Sequence, residues 1–215
     1  MPPEVLVPEA LVPEALVHVI DDDEAVRESL AFLLETDGLP VRTYDSAEAF
    51  LTALDGGRKA GCLITDVRMP GMTGLDLVRR LRELSVELPV VVITGHADVP
   101  MAVEAMKAGV VDFIEKPFDD DALLGVVRRT LEARGRADEQ QAERAEVGRR
   151  LATLTGRETE VFDRLVQGAA NKVIANDLGI SPRTVEIYRA NVMTKMAARN
   201  LSELVRMGLL VAQQK

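Results

Sequence analysis

Acids at Asp21, Asp22 and Asp66, a hydroxyl at Thr94 and an ammonium at Lys116 each stand at or just beyond the end of a short apolar run. Carboxylates crowded together are costly unless a cation sits between them. An all-oxygen ligand set suits Mg2+, which keeps several waters and bridges to phosphate oxygens. A carboxylate can also act as a nucleophile and form a covalent intermediate. A hydroxyl can bond one phosphoryl oxygen, and an ammonium can neutralise the charge left after transfer. Each of these is weak by itself, since acids at strand ends commonly cap the following helix. Capping is the reading for Asp23. Together, at successive run ends, the groups are the parts of an aspartyl-phosphate site centred on Asp66.

That reading requires elements that bring distant residues to one edge. Apolar runs occur at 16–20, 39–44, 62–65, 90–94 and 110–114, with helix-period segments at about 24–36, 46–54, 73–84, 99–108 and 119–133. Five strand–helix pairs with short connections predict an α/β domain with a parallel sheet covered on both faces. Burial on both faces explains runs such as Val90–Ile93, which do not alternate. Right-handed crossovers leave few topologies, among them the doubly wound, flavodoxin-like order with its switch point between strands 1 and 3. That order would place Asp21, Asp22 and Asp66 side by side. Lys116-Pro117 directly after a run predicts a fixed turn, open to the cis form, that aims the lysine inward. His18, inside a run, reads as a packed core residue. Arg68 and His96, two residues beyond Asp66 and Thr94, are placed to screen a phosphoryl group from water.

Composition bounds the remainder. At 47% hydrophobic but 3% aromatic, the core must be built from Val, Leu, Ile, Ala and Met. No apolar run approaches the ~18 residues of a membrane span, and the acidic, Pro-interrupted start resembles neither a secretory signal nor a transit peptide. The one cysteine, Cys62, reads as a small buried hydrophobe. It allows no disulfide or cysteine-based metal site within one chain, and a reducing cytoplasm fits. Residues 3–17 are three pentapeptides, PEVLV, PEALV and PEALV. Their regular prolines oppose helix and ladder alike, so residues 1–14 are expected as a disordered tail. The domain expected over 15–134 is followed by a polar stretch at 135–148, expected as a linker or a helical extension.

Charge divides the chain. Residues 1–148 hold 15 Lys/Arg and 29 Asp/Glu, a net of −14, whereas residues 149–215 hold 11 and 6, a net of +5. An acidic half joined to a basic half points to two partners, with nucleic acid a candidate for the second. The basic half, 149–215, is purely helical in pattern. Thr155 can cap a helix to about Gly168, a short helix at about 171–178 ends at Gly179, and Ser181 caps another with Pro182 at its first position. Ala175, Gly179 and Val185 have helix-turn-helix spacing. Val185, Tyr188, Val192 and Met196 share a core face. The opposite face carries Arg183, Thr184, Glu186, Ile187, Arg189 and Ala190, where a major-groove helix meets base edges. Asn171, Lys172 and Lys195 are expected as phosphate contacts. Asn200 to Glu203 open a last helix, whose Val205/Leu209 stripe could pair with another copy.

The motifs IDDD, DVRMPGMTG, TG and KPF, in this order, resemble the receiver domain of two-component response regulators. Leu154 to Leu210 resembles the LuxR/NarL-type effector domain. TGHADVPMAVEAMKAG, FIEKPF and ISPRTVEIYRANVMTKM are similar to the FixJ-like branch, over about residues 15–212. The resemblance implies that Asp66 is the phosphoacceptor. It also implies that Asp21, Asp22, Asp66 and the Arg68 backbone carbonyl hold Mg2+, and that Thr94 and Lys116 bind the phosphoryl group. Phe113 falls at the family's switch position, where Tyr is commoner, so no hydroxyl is available there. It further implies a sensor histidine kinase as donor, a phosphorylation-dependent homodimer through residues 99–133, and promoter DNA bound to activate transcription with RNA polymerase. Two other readings fit parts of the chain. One is a Mg2+-dependent phosphohydrolase, opposed by Arg68, which stands where a general acid would be needed. The other is a phospho-switch on a protein partner, opposed by the helix-turn-helix spacing.

Overall fold

The computed structural model describes residues 16–54, 61–95 and 98–212. The pentapeptide tail and His96 lie outside the described residues. The chain divides between Arg136 and Ala137 into two compact units.

The first unit is an α/β domain on a five-stranded parallel sheet of order β2-β1-β3-β4-β5. The strands are β1 (Val17–Ile20), β2 (Val41–Tyr44), β3 (Cys62–Asp66), β4 (Val90–Thr94) and β5 (Asp112–Glu115). The switch point lies between β1 and β3, the doubly wound order that was one of the few the run order allows. Helices α1 (Glu24–Thr36), α2 (Ala47–Thr52), α3 (Gly74–Glu83) and α4 (Val99–Ala108) alternate with the strands. Side chains on β3 and β4 are buried throughout, because both faces of the sheet are covered. The period of two then splits them between two apolar layers. Leu63 and Val92 join Phe50, Leu77 and Ala105 on one face. Ile64, Val91 and Ile93 join Leu30, Leu34, Leu123 and Val127 on the other. His18 is buried, with its ring 5.3 Å from that of Phe50 and its Nδ1 3.2 Å from the Tyr44 hydroxyl.

One expectation shifts. β5 starts at Asp112, two residues later than the apolar run at 110–114. Gly109 ends α4 in the left-handed region (φ 85°), and Val110, donating its N–H to Ala105, packs as the buried closing residue of that cap. Hydrophobicity does not distinguish a capping valine from a strand valine. Of the two forms expected for 135–148, the structure has the helical extension, inside α5 (Asp120–Leu151). Ala, Glu, Gln and Arg favour helix. Ion pairs at one-turn spacing, Arg136–Glu132, Arg149–Glu146 and Arg150–Glu146, add to that preference. Polar composition signals a linker only when the residues are also poor helix formers.

The second unit is all-helical. Besides the end of α5 it holds α6 (Gly156–Val166), α7 (Asn171–Leu178), α8 (Pro182–Lys195) and α9 (Leu201–Ala212). Thr155 and Glu158 form a reciprocal capping box at α6. Gly179 ends α7 at φ 66°, and the Ser181 hydroxyl caps α8 by accepting from the Thr184 N–H. Val185, Val192 and Met196 are fully buried. Arg150 donates to the carbonyl of Met196 at 2.9 Å, tying α5 to the end of α8. Asn200 caps α9 through the Glu203 N–H, while the Glu203 carboxylate reaches back to the N–H of Arg199.

Candidate functional site

Parallel strands end together, so the C-terminal edges of β1, β3, β4 and β5 bring Asp21, Asp66, Thr94 and Lys116 to one end of the sheet. Asp21, Asp66 and Thr94 are 2%, 7% and 1% exposed. The Lys116 ammonium donates to Asp21 Oδ2 at 2.8 Å and to Asp66 Oδ1 at 3.1 Å, one cation shared by two buried carboxylates. The Lys116 N–H also donates to the Thr94 carbonyl at 2.7 Å, and the Lys116–Pro117 peptide bond is cis. The second Asp66 oxygen accepts from the Arg68 N–H. Burial pushes the Asp66 carboxyl above its ordinary range and the nearby Asp21 charge adds to this, although Lys116 and the Arg68 N–H pull it down. Burial alone would lower Lys116, but Asp21 and Asp66 outweigh it and hold the ammonium above its usual value.

Asp22 stands apart. It is exposed, and among the described residues no cluster of three or more Asp, Glu, His or Cys side chains is close enough to hold a metal ion. What the structure provides is the buried Asp21–Asp66 pair, held together by a cation. Asp23 is the expected cap, accepting from the Ala25 N–H at 2.9 Å. Phe113 on β5 lies opposite Val92, on the sheet face that also carries Thr94. It is half-buried against the apolar layer under α4. That helix shows an outward stripe of Val99, Val103 and Met106, respectively 77%, 45% and 55% exposed.

Three contributors were not singled out by the sequence reading. Arg27 donates to the Asp21 carbonyl at 2.7 Å and fixes the turn that carries the acids. Glu48 on α2 accepts from the Met72 N–H at 3.1 Å and pins the loop after Asp66. A Cβ on Gly74 would lie 2.1 Å from the Asp66 carbonyl oxygen, so α3 starts pressed against the strand end. Only the spacing Asp66–Gly74 carries any trace of this in the sequence. The other two are contacts between elements.

In the second unit, Arg183, Glu186, Ile187 and Ala190 form an exposed face of α8, with Thr184 half-buried at its start. Ile187 is an apolar residue left 58% exposed. Arg189 reaches Asn171 at 3.4 Å, linking α8 to the first turn of α7, where Lys172 is exposed. Lys195 differs from the other expected phosphate contacts. Its ammonium is engaged by Glu158 at 2.6 Å and by the Thr153 carbonyl at 3.2 Å. The same bond, with the Thr155 N–H, holds the Glu158 carboxyl down to about 2.

Comparison with known proteins agrees with both units. Residues 17–128 match the response regulator receiver domain, and residues 152–208 match the luxR family of bacterial regulatory proteins. The chain is 59% identical over 197 residues to the transcriptional regulatory protein FixJ of Azorhizobium caulinodans, covering 90% of this chain and 92% of the relative. It is 52% identical to FixJ of Rhizobium meliloti, covering 90% and 94%. Among solved structures, response regulator StyR superposes with a TM-score of 0.78 at 40% identity, covering 90% of this chain and 97% of StyR. Full-length FixJ from B. japonicum gives 0.59 at 46%, covering 93% and 98%. Members of this family are transcription regulators rather than metabolic enzymes. With a receiver on one side, a luxR-type helix-turn-helix on the other and FixJ similarity along nine-tenths of its length, the chain belongs to the FixJ-like two-component response regulators.

Proposed function

We propose that Asp66 takes a phosphoryl group from the phosphohistidine of a sensor kinase, and that this makes the chain a dimeric activator of transcription. The observation that carries the reading is the Lys116 ammonium bridging Asp21 and Asp66. A carboxylate oxygen of Asp66 attacks phosphorus, the P–N bond breaks with its electron pair going to nitrogen, and a phosphohistidine ring already protonated on its other nitrogen leaves as neutral imidazole. Lys116 exchanges carboxylate for phosphoryl oxygen and compensates the new charge, roughly −1.5 to −2. The Thr94 hydroxyl bonds a second oxygen. Asp21, Asp22, Asp66 and the Arg68 carbonyl would hold Mg2+, and the buried Asp21–Asp66 pair fits a cation site. When bound, Mg2+ supplies positive charge to the phosphoryl oxygens during transfer.

Movement of Thr94 toward the phosphoryl group opens space on the face it shares with Phe113. Phe113 fills that space and α4 repacks, a two-state element biased by a local charge. The dimer forms through the exposed stripe Val99, Val103 and Met106 and its neighbours on β5 and α5. Pairing raises the effective concentration of the second DNA-binding unit. Arg183, Thr184, Glu186, Ile187, Arg189 and Ala190 then face base edges of a two-fold promoter site, with Asn171 and Lys172 toward phosphates. RNA polymerase is the partner that converts occupancy into transcription, and the setting is cytoplasmic. Sedimentation of the full chain with beryllofluoride and Mg2+ tests the proposal. A shift from monomer to dimer is expected in the wild type and not in Val103→Glu. An unchanged mass at tens of micromolar protein would contradict it.

A further inference from the structure

At the opposite edge of the sheet from Asp66, the first unit contains a cavity of about 750 Å³. Its walls are apolar: Leu81 on α3, Val86 and Leu88 before β4, Val90 at the start of that strand, Val111 before β5, and Val126 on α5. Small-molecule sites have this size and this kind of lining, with a few placed polar groups. The polar groups here are distinctive. Arg82, Arg129 and Arg134 all line the cavity, within a half-chain whose net charge is −14. Arg134 is committed to the Glu87 carbonyl at 2.6 Å. Among the described residues Arg82 reaches only the Lys107 carbonyl, at 3.4 Å, and its guanidinium lies over Gly109, where a Cβ would be 1.9 Å from Nη2. Neither Arg82 nor Arg129 has a carboxylate partner among the described residues. Of the two acids in the lining, Asp112 turns to the Phe113 N–H at 2.8 Å and Glu87 lies on the Arg134 side. Thr130, 3% exposed, adds a hydroxyl-bearing side chain to the same lining.

We propose that this cavity is a binding site for a small amphipathic carboxylate, a molecule with an aliphatic or aromatic body and one acidic head. The body displaces water from the valine and leucine walls. The head takes the Arg129 guanidinium, with Arg82 beside it, in charge-assisted hydrogen bonds. The Thr130 hydroxyl completes the donor set by donating to the second carboxylate oxygen. A cationic head would meet uncompensated guanidinium charge, and a neutral head would leave it unpaired.

Calorimetric titration of the full chain with octanoate, octan-1-ol and octylammonium tests this. Octanoate should saturate one site below about 5 mM, at least about tenfold more tightly than the alcohol, with the amine weakest. Amide shifts should centre on Leu88, Gly109, Val111 and Thr130. Arg129→Gln, a change at an exposed position that leaves folding intact, should weaken octanoate severalfold and leave octanol unchanged, and Thr130→Val should weaken octanoate. No saturable binding, equal binding of octanoate and octylammonium, indifference to Arg129→Gln, or shifts centred elsewhere would overturn the proposal.

Discussion

Asp66 takes its character from what surrounds it rather than from its own type. Its carboxyl is buried, shares Lys116 with Asp21, and is pinned by the N–H of Arg68. The sequence placed the acid, the lysine and the threonine at strand ends because the end of an apolar run is visible in one dimension. It did not reveal that Lys116 bridges the carboxylates, or that Arg27 and Glu48 brace the two loops. Those contacts depend on side-chain reach between elements. Gly74 tests how tightly the site is built. Gly74→Ala must displace either α3 or the Asp66 carbonyl, and should cost about 1–3 kcal/mol of stability while slowing phosphorylation, measured by denaturant unfolding and phosphate incorporation. Cys62 is at the other extreme. Burial pushes its thiol up to about 12, so alkylating reagents should label it only in the unfolded chain, as quantified by mass spectrometry under native and denaturing conditions.

Elements were legible in proportion to how much local chemistry fixes them. Ser181-Pro182 and Thr155 marked the starts of α8 and α6. The capping Val110 and the helical 135–148 were ambiguous, because hydrophobicity and polarity each serve more than one structure. In the second unit, Lys195 contributes inward to Glu158 at the base of α8, which a linear pattern of positive charge cannot distinguish from an outward contact. DNA titrations across salt concentrations should separate the two roles. Lys172→Ala should reduce the slope of log affinity against log salt by about one, and Lys195→Ala should leave it nearly unchanged. The Glu158 carboxyl, depressed by Lys195 and the Thr155 N–H, also sets a pH window. Its stabilising effect is complete above the ordinary glutamate value near 4.5 and is lost as pH falls through about 2. Thermal unfolding between those limits should depend less on pH in Glu158→Gln than in the wild type.

The whole molecule joins an acidic receiver to a basic DNA-binding unit in one chain. That division of charge was apparent in the sequence, and alternating runs with short connections narrowed the parallel sheet to few topologies, the observed order among them. The outward apolar stripe on α4 was not apparent, because Val99, Val103 and Met106 read as ordinary helix residues until their faces are known. The central claim is that Asp66 is the covalent input. Intact-mass spectrometry of the full chain incubated with a phosphohistidine-loaded kinase or a small phosphoramidate, with Mg2+, tests this most directly. One phosphoryl group should be added to the wild type, and none to Asp66→Asn under the same conditions. A wild type that stays unmodified, or an Asp66→Asn chain modified to the same extent, would contradict the account.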